Sequence, residues 1–178
     1  RVRIVRTMRQ LLLMRHAKSS WDDTTLADHE RPLNARGRAA AAAMRGRIHK
    51  LGLEPDLVLV SPATRTMQTL DALEPWDDQP LIEPMENLYL APAPLLLTVL
   101  HGIPETVRSA MLIGHNPGLH DLALMLASET GEAPARRRLK DGFPTGALLE
   151  FSVALPWARL GPGGGQLVRF VTPKDLMD

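Results

Sequence analysis

Gln10–His16 (QLLLMRH) is the stretch that decides the fold, because a short apolar run ends there in an arginine–histidine pair. Short apolar runs bounded by polar residues are typical of buried strands. We therefore predict a strand over Gln10–Met14, with Arg15 and His16 at its carboxyl end. Open α/β sheets bind their ligands at that edge. The pair is therefore a candidate site for binding an anion and reacting with it.

Segments outside this stretch alternate between strand and helix patterns. Helices are predicted over residues 36–50, 63–73 and 94–101 and from Pro117 to about Ser128, with Asn34 as the N-cap of the first. Ser61-Pro62 is predicted to be the N-cap and first residue of the second helix. Two regions, 18–33 and 130–146, are expected to be irregular. The further predicted strands are Leu57–Ser61, Pro80–Glu83, Ala110–Gly114, Ala147–Val153 and Gln166–Thr172.

The alternation predicts one α/β domain with a mostly parallel mixed sheet sandwiched by helices. The last two strands have no clear helix between them, which favours an antiparallel addition. We expect the domain to span residues 8–178, with residues 1–7 as an N-terminal extension. The chain has 178 residues, which is enough for one domain with a hydrophobic core.

Composition excludes several classes of function. The formal net charge is +1, with 21 Lys and Arg against 20 Asp and Glu, which gives no general case for nucleic acid or an anionic membrane as partner. The chain contains no cysteine, so it has no disulfide, no thiolate metal ligand and no cysteine nucleophile. No apolar segment approaches the length of a membrane span, and we expect a cytoplasmic protein.

Two more residues follow predicted strands and complete a candidate phosphate site. Arg65 follows Ser61-Pro62, and His115 follows Ile113-Gly114. The planar fork of arginine donates paired hydrogen bonds to phosphate oxygens. A neutral imidazole can attack phosphorus and form a phosphoramidate that water then hydrolyses. We expect Arg15, Arg65 and a protonated His115 to neutralise the charge that develops on the phosphoryl oxygens.

Four motifs carry a resemblance to a known family. The chain resembles the histidine phosphatase, or phosphoglycerate-mutase-like, superfamily, and more narrowly the short SixA-type phosphohistidine phosphatases. Arg15-His16-Ala17 resembles the opening Arg-His-Gly/Ala signature of that family. The matches run in family order from near residue 8 to near residue 155. The motifs lie at Leu13–Trp21, Arg31–Gly37, Val60–Thr69 and Leu112–Gly118.

The resemblance implies the roles of individual residues. His16 would be the nucleophile that becomes phosphorylated, and Arg15, Arg65 and His115 would complete the pocket that binds and neutralises the phosphoryl group. Glu86 lies where the family's general acid is expected, and Glu83 and Asp22 are its rivals.

Three further residues are of secondary interest. Thr145 resembles a family position near the site. Trp21 either borders the pocket or packs against other side chains. Arg31 resembles a recurrent family position, and the alternative role for it is a salt bridge to the aspartate-rich segment.

The resemblance also implies a function. We expect a phosphatase that needs no metal or other cofactor and that dephosphorylates phosphohistidine in a partner protein, such as a signalling or phosphotransfer protein. The alternatives are a phosphatase of small phosphate esters and a non-catalytic module that binds phosphoproteins. A mutase is disfavoured because transfer back to product requires water to be held out, and no insertion large enough to form a lid is evident. We expect a monomer or a weak dimer.

Overall fold

The central strand of the molecule is β1 (Arg9–Arg15), which joins a parallel and an antiparallel half of one six-stranded sheet. The computed structural model describes residues 8–177, so the predicted extension over residues 1–7 lies outside the described residues. The strand order is β3-β2-β4-β1-β5-β6. The other strands are β2 (Leu57–Val60), β3 (Leu81–Pro84), β4 (Ser109–Gly114), β5 (Leu148–Val153) and β6 (Gly165–Val171).

The first four strands are parallel, and the last two extend the sheet in the antiparallel sense. β1 pairs in parallel with β4 and antiparallel with β5, and β5 pairs antiparallel with β6. This architecture confirms the predicted α/β fold with a mixed sheet. The carboxyl ends of β1, β2 and β4 meet at one edge because these strands run in the same direction.

In the part of the chain that the structure describes, six α-helices connect or follow the strands. None of the helices within residues 8–177 is long and apolar enough to cross a membrane. The helices are α1 (Ala35–Lys50), α2 (Thr64–Asp71), α3 (Ala93–His101), α4 (Gly118–Leu126), α5 (Ala133–Asp141) and α6 (Pro173–Met177).

Helices cover both faces of the sheet because successive strand residues point to opposite sides. Leu11 and Leu13 of β1 face a core formed with α3, α4 and α5. Leu12 and Met14 face a second core formed with α1 and α2. All four side chains are fully buried. This explains why β1 is a continuous apolar run: a parallel strand covered on both faces has no polar side.

Two local predictions were wrong. Residues 130–146, expected to be irregular, contain the helix α5, whose first turn is capped by the Glu132 side chain accepting from the Ala135 amide at 2.6 Å. Ser61 is not the N-cap of α2, because that helix begins at Thr64 with Ala63 as its N-cap. The Ser61 hydroxyl instead hydrogen-bonds His115, at 2.7 Å from its Nε2.

The N-cap of α1 is confirmed, and it fixes the helix against the segment that follows β1. The Asn34 side chain accepts a hydrogen bond from the backbone N–H of Gly37 at 2.7 Å. The backbone N–H of Asn34 donates to the Lys18 carbonyl oxygen at 3.0 Å. A Cβ atom on Gly37 would lie 2.0 Å from the Lys18 carbonyl oxygen. Only glycine permits this approach, which explains its place in the second motif.

Candidate active site

The register of the sheet brings His16 and His115 together. Arg15 pairs with Gly114 across β1 and β4, so the two histidines follow neighbouring strands at the same level. The ring centroids lie 5.3 Å apart. His16 is 7% exposed and His115 is 3% exposed. Parallel pairing of two separate motifs therefore builds the centre of the site.

Arg15, His16, Arg65 and His115 line one cavity of about 560 Å³. The structure thus brings together the four side chains that were predicted to meet, although the assignment of their catalytic roles stays a prediction. Thr145 and Trp21 also line this cavity.

The hydrogen bonding of His16 determines which ring nitrogen is available for reaction. Its Nδ1 lies 2.7 Å from the Ala17 carbonyl oxygen, which can only accept, so Nδ1 carries the proton. The lone pair of the neutral ring is therefore on Nε2. The Ala17 amide in turn donates to Thr69 Oγ1 at 2.9 Å, which fixes the backbone after His16 onto α2. The Thr69 hydroxyl of the third motif is thus a positioning group.

Burial favours the neutral form of both histidines. Desolvation lowers the pKa of His16 to about 4, with further lowering by the Arg65, Arg15 and Arg31 charges, while the hydrogen bond to Ala17 opposes the shift. Desolvation and the Arg65 charge lower the pKa of His115 to about 3. His115 was expected to be protonated, but burial and the guanidinium charges beside the ring favour its neutral form.

Three residues of the cavity carry a buried nitrogen without a hydrogen-bond partner. Within residues 8–177 these atoms are Arg15 Nε, Arg65 Nε and His115 Nδ1, and Asn116 Oδ1 is likewise without a partner. The two guanidinium groups of the cavity are of the kind that donates to the several acceptor oxygens of a tetrahedral oxyanion.

Arg65 is held by a residue that the sequence analysis did not single out. Arg65 Nη1 donates to the Asp28 carbonyl oxygen at 2.7 Å, and Nη2 donates to Asp28 Oδ2 at 3.0 Å. Tyr89 also donates to this carboxylate. The Tyr89 hydrogen bond, followed by those from Arg65 and Arg31, lowers the pKa of Asp28 to about 2 against the opposing effect of desolvation. Asp28 therefore stays ionised.

Arg31 forms the ion pair that was its alternative assignment. Its Nε lies 3.1 Å from Asp28 Oδ1, and its Nη1 donates to the Ser19 hydroxyl at 2.8 Å. The guanidinium carbon lies 3.4 Å from the centroid of the Trp21 ring. Trp21 is 72% exposed, so the buried Arg31 holds an aromatic ring at the mouth of the cavity.

Arg15 and Asn116 share one anchor. Arg15 Nη1 and Asn116 Nδ2 both donate to the Phe143 carbonyl, at 3.1 and 2.9 Å. Burial and the nearby Arg65 charge lower the pKa of Arg15. Asn116 follows His115 directly and lines the cavity, so its position in the fourth motif was the signal that could have identified it.

Glu86 is not among the residues that line the cavity. Its side chain is 84% exposed, and Oε2 lies 3.9 Å from His29 Nε2. The His29 ring contacts Tyr89 with centroids 4.7 Å apart, and Tyr89 contacts His115 at 5.4 Å. Of its rivals, Asp22 lines the cavity, whereas Glu83 is an exposed residue of β3. The identity of the general acid therefore stays a prediction.

Comparison with known proteins identifies the family of the chain. The sequence profile of the histidine phosphatase superfamily (branch 1) matches residues 11–86. An uncharacterized protein of Mycobacterium tuberculosis is 36% identical over 162 residues, which cover 90% of this chain and 100% of that protein.

Two solved structures, each assigned as the phosphohistidine phosphatase SixA, have the same fold. The one from Agrobacterium tumefaciens is 30% identical with a TM-score of 0.77, covering 93% of this chain and 98% of that one. The one from Nakamurella multipartitia is 26% identical with a TM-score of 0.81, covering 93% and 96%. The chain belongs to the histidine phosphatase superfamily and is of the SixA type.

Proposed function

We propose that this protein is a phosphatase that forms a phosphohistidine intermediate on His16, without a metal, and acts on phosphohistidine in proteins. The observation that carries the proposal is the free Nε2 of a buried, neutral His16 in a cavity lined by Arg15, Arg65 and His115. Membership of a phosphatase family supports the reaction type.

The reaction takes place in two displacements. His16 Nε2 attacks phosphorus as the bond to the leaving group breaks, and the leaving group departs with the bonding electron pair and takes up a proton from a general acid or from water. Water then attacks the phosphorus of phospho-His16 and gives up a proton to solvent. The P–N bond breaks with its electron pair returning to Nε2, and inorganic phosphate is released. Arg15 and Arg65 neutralise the phosphoryl oxygens in both steps. The dianion favours the protonated form of His115, whose Nδ1 can then donate to it.

The leaving group favours a phosphohistidine substrate. An alkoxide leaves poorly and needs a well-placed acid, whereas a protonated imidazole nitrogen leaves readily. The candidate acid Glu86 is exposed and lies outside the cavity lining. A site with weak acid catalysis therefore cleaves P–N bonds faster than alkyl ester bonds.

The mouth of the cavity favours a substrate carried by a protein. Lys18, Trp21, Asp22 and Leu90 line the cavity and are exposed. A phosphorylated side chain that projects from another protein can enter past such residues while its backbone stays outside.

The deciding experiment compares rates on a phosphohistidine protein, a chromogenic aryl phosphate and a panel of alkyl phosphates, each with a chelator present. We expect kcat/KM to be highest for the phosphohistidine protein. Equal or higher values for an alkyl phosphate would favour a small-molecule phosphatase, and phosphate binding without turnover of any substrate would favour a binding module. His16→Ala should abolish turnover, with His49→Ala, an exposed histidine of α1, as its control.

A further inference from the structure

A second depression adjoins the catalytic cavity. It has a volume of about 740 Å³ and shares Lys18 and Thr145 with that cavity. We call it the basic groove and define it by Lys18, Arg36, Arg138, Lys174, Phe170 and Met177 among its lining residues. A ligand that reaches from one depression into the other therefore passes Lys18 and Thr145.

The basic groove concentrates positive charge in a chain whose net charge is only +1. Four cationic side chains line it, against one carboxylate, Asp141. Arg138 is paired with Asp175 at 2.8 Å. Among residues 8–177, Lys18, Arg36 and Lys174 take part in no ion pair, so their charges are available to an external partner.

The groove also has apolar surface and a fixed geometry. Met177 is 47% exposed, and Phe170 forms part of the wall. The contact of Gly37 with the Lys18 backbone ties α1 to the segment that follows His16. Lys18 and Arg36 of the groove therefore lie on segments that pack against each other next to His16.

We propose that the basic groove binds an acidic segment of the substrate protein while the phosphoryl group of that protein occupies the cavity. This inference rests on the proposed function and adds a property of the substrate, namely acidic residues near the phosphorylated side chain. Complementary charge steers association and selects partners more than it raises intrinsic affinity. Selection of this kind would separate phosphoproteins from small phosphate esters, which contact the cavity alone.

The test uses the double variant Arg36→Glu/Lys174→Glu and a matched control, Arg45→Glu/Lys50→Glu, with the same change in net charge. Arg36, Arg45 and Lys50 are exposed on α1, but Arg45 and Lys50 do not line the groove. Two phosphohistidine peptides are compared, one with acidic and one with neutral flanking residues. For wild type we expect kcat/KM to be about tenfold higher on the acidic peptide, through KM, and the preference to weaken as salt is added.

The groove variant should lose this preference, the control should keep it, and both should hydrolyse an aryl phosphate within twofold of wild type. Equal kcat/KM on the two peptides in wild type, or the same loss in the control, would overturn the proposal. If neither peptide is hydrolysed while the aryl phosphate is, the substrate assignment fails separately. Fluorescence polarisation with the unphosphorylated acidic peptide then tests whether the basic groove binds an acidic segment. Binding to wild type and to the control that is lost in the groove variant supports the proposal. Absence of binding to wild type refutes it.

Discussion

Asp28 holds Arg65 through both its backbone and its side chain. The carbonyl oxygen accepts from Arg65 Nη1, and the carboxylate accepts from Nη2 at 3.0 Å. Asp28 begins a single turn of 3-10 helix (Asp28–Glu30), whereas Arg65 lies in the first turn of α2. One carboxylate therefore orients a guanidinium of the site from outside the four motifs.

Asp28→Ala should lower kcat/KM on an aryl phosphate by about tenfold, because Arg65 loses a charge-assisted hydrogen bond of about 1.5–3 kcal/mol, reduced here by exposure. Asp28→Asn keeps an acceptor oxygen and should lose less. Steady-state kinetics measure both, with Asp23→Ala as the control because, among the described residues, the Asp23 side chain hydrogen-bonds only to Thr25. Wild-type kcat/KM in Asp28→Ala would show that Asp28 does not position Arg65.

The buried histidines make stability depend on pH. The pKa values of His16 and His115 are lowered in the folded state to about 4 and about 3, so the unfolded chain binds more protons below its histidine pKa of about 6.5. The contribution of the two neutral rings to the free energy of unfolding is present above pH 6.5 and is lost as the pH falls from 6.5 towards 4. Between pH 7 and 5, each ring should lower the free energy of unfolding by about 2 kcal/mol.

Urea denaturation at pH 7 and pH 5 measures this loss. His16→Asn should lose less between the two pH values than wild type, because one of the two rings is gone. His49→Ala should behave like wild type, since His49 is exposed. An identical change in wild type and His16→Asn would mean that His16 titrates normally in the folded protein.

Gly37→Ala should destabilise the protein although alanine is the better helix former. The added Cβ would lie 2.0 Å from the Lys18 carbonyl oxygen, so the backbone must shift at a cost of about 1–3 kcal/mol. Activity should fall as well, because Lys18 directly follows the Arg15-His16-Ala17 stretch. Gly46→Ala is the matched control on the same helix: nothing lies within 4 Å of its Cβ, and it should gain up to about 1 kcal/mol.

Thermal denaturation and aryl phosphate kinetics check the two glycine variants together. A Gly37→Ala protein as stable and as active as Gly46→Ala would mean that the approach of α1 to Lys18 is not required.

Glu86→Gln tests the predicted general acid. If Glu86 protonates the leaving group, hydrolysis of alkyl phosphates should fall by about a hundredfold, whereas aryl phosphate and phosphohistidine, which need less protonation, should change little. Glu54→Gln removes an exposed carboxylate that does not line the cavity and was no candidate for the acid, and it serves as the control. A uniform effect of Glu86→Gln on all substrates, or none, would remove Glu86 from this role.

The site was predictable where function depends on local pattern. Arg15 ends β1, His16 follows it directly, and His115 directly follows β4. The strands that place these residues contain short apolar runs with clear ends. The antiparallel addition was also predictable, since no helix pattern separates Leu148–Val153 from Gly165–Val171.

Contacts between distant segments were not predictable. Asp28 and Tyr89 meet Arg65 only in the fold, and no periodicity marks the segments that carry them. Helix α5 was missed because three arginines and Pro134 conceal its apolar face, although Pro134 lies in the first turn, where proline is tolerated. The strand order likewise depends on long-range pairing.

The central place of β1 has a consequence for local opening. Its backbone is bonded on both sides, to β4 and to β5, and its apolar side chains are fully buried. Segments of this kind exchange their amide hydrogens only when the whole molecule unfolds. Deuterium uptake should therefore be slowest at residues 11–14, and fraying of the β5–β6 hairpin at its outer edge would leave His16 anchored.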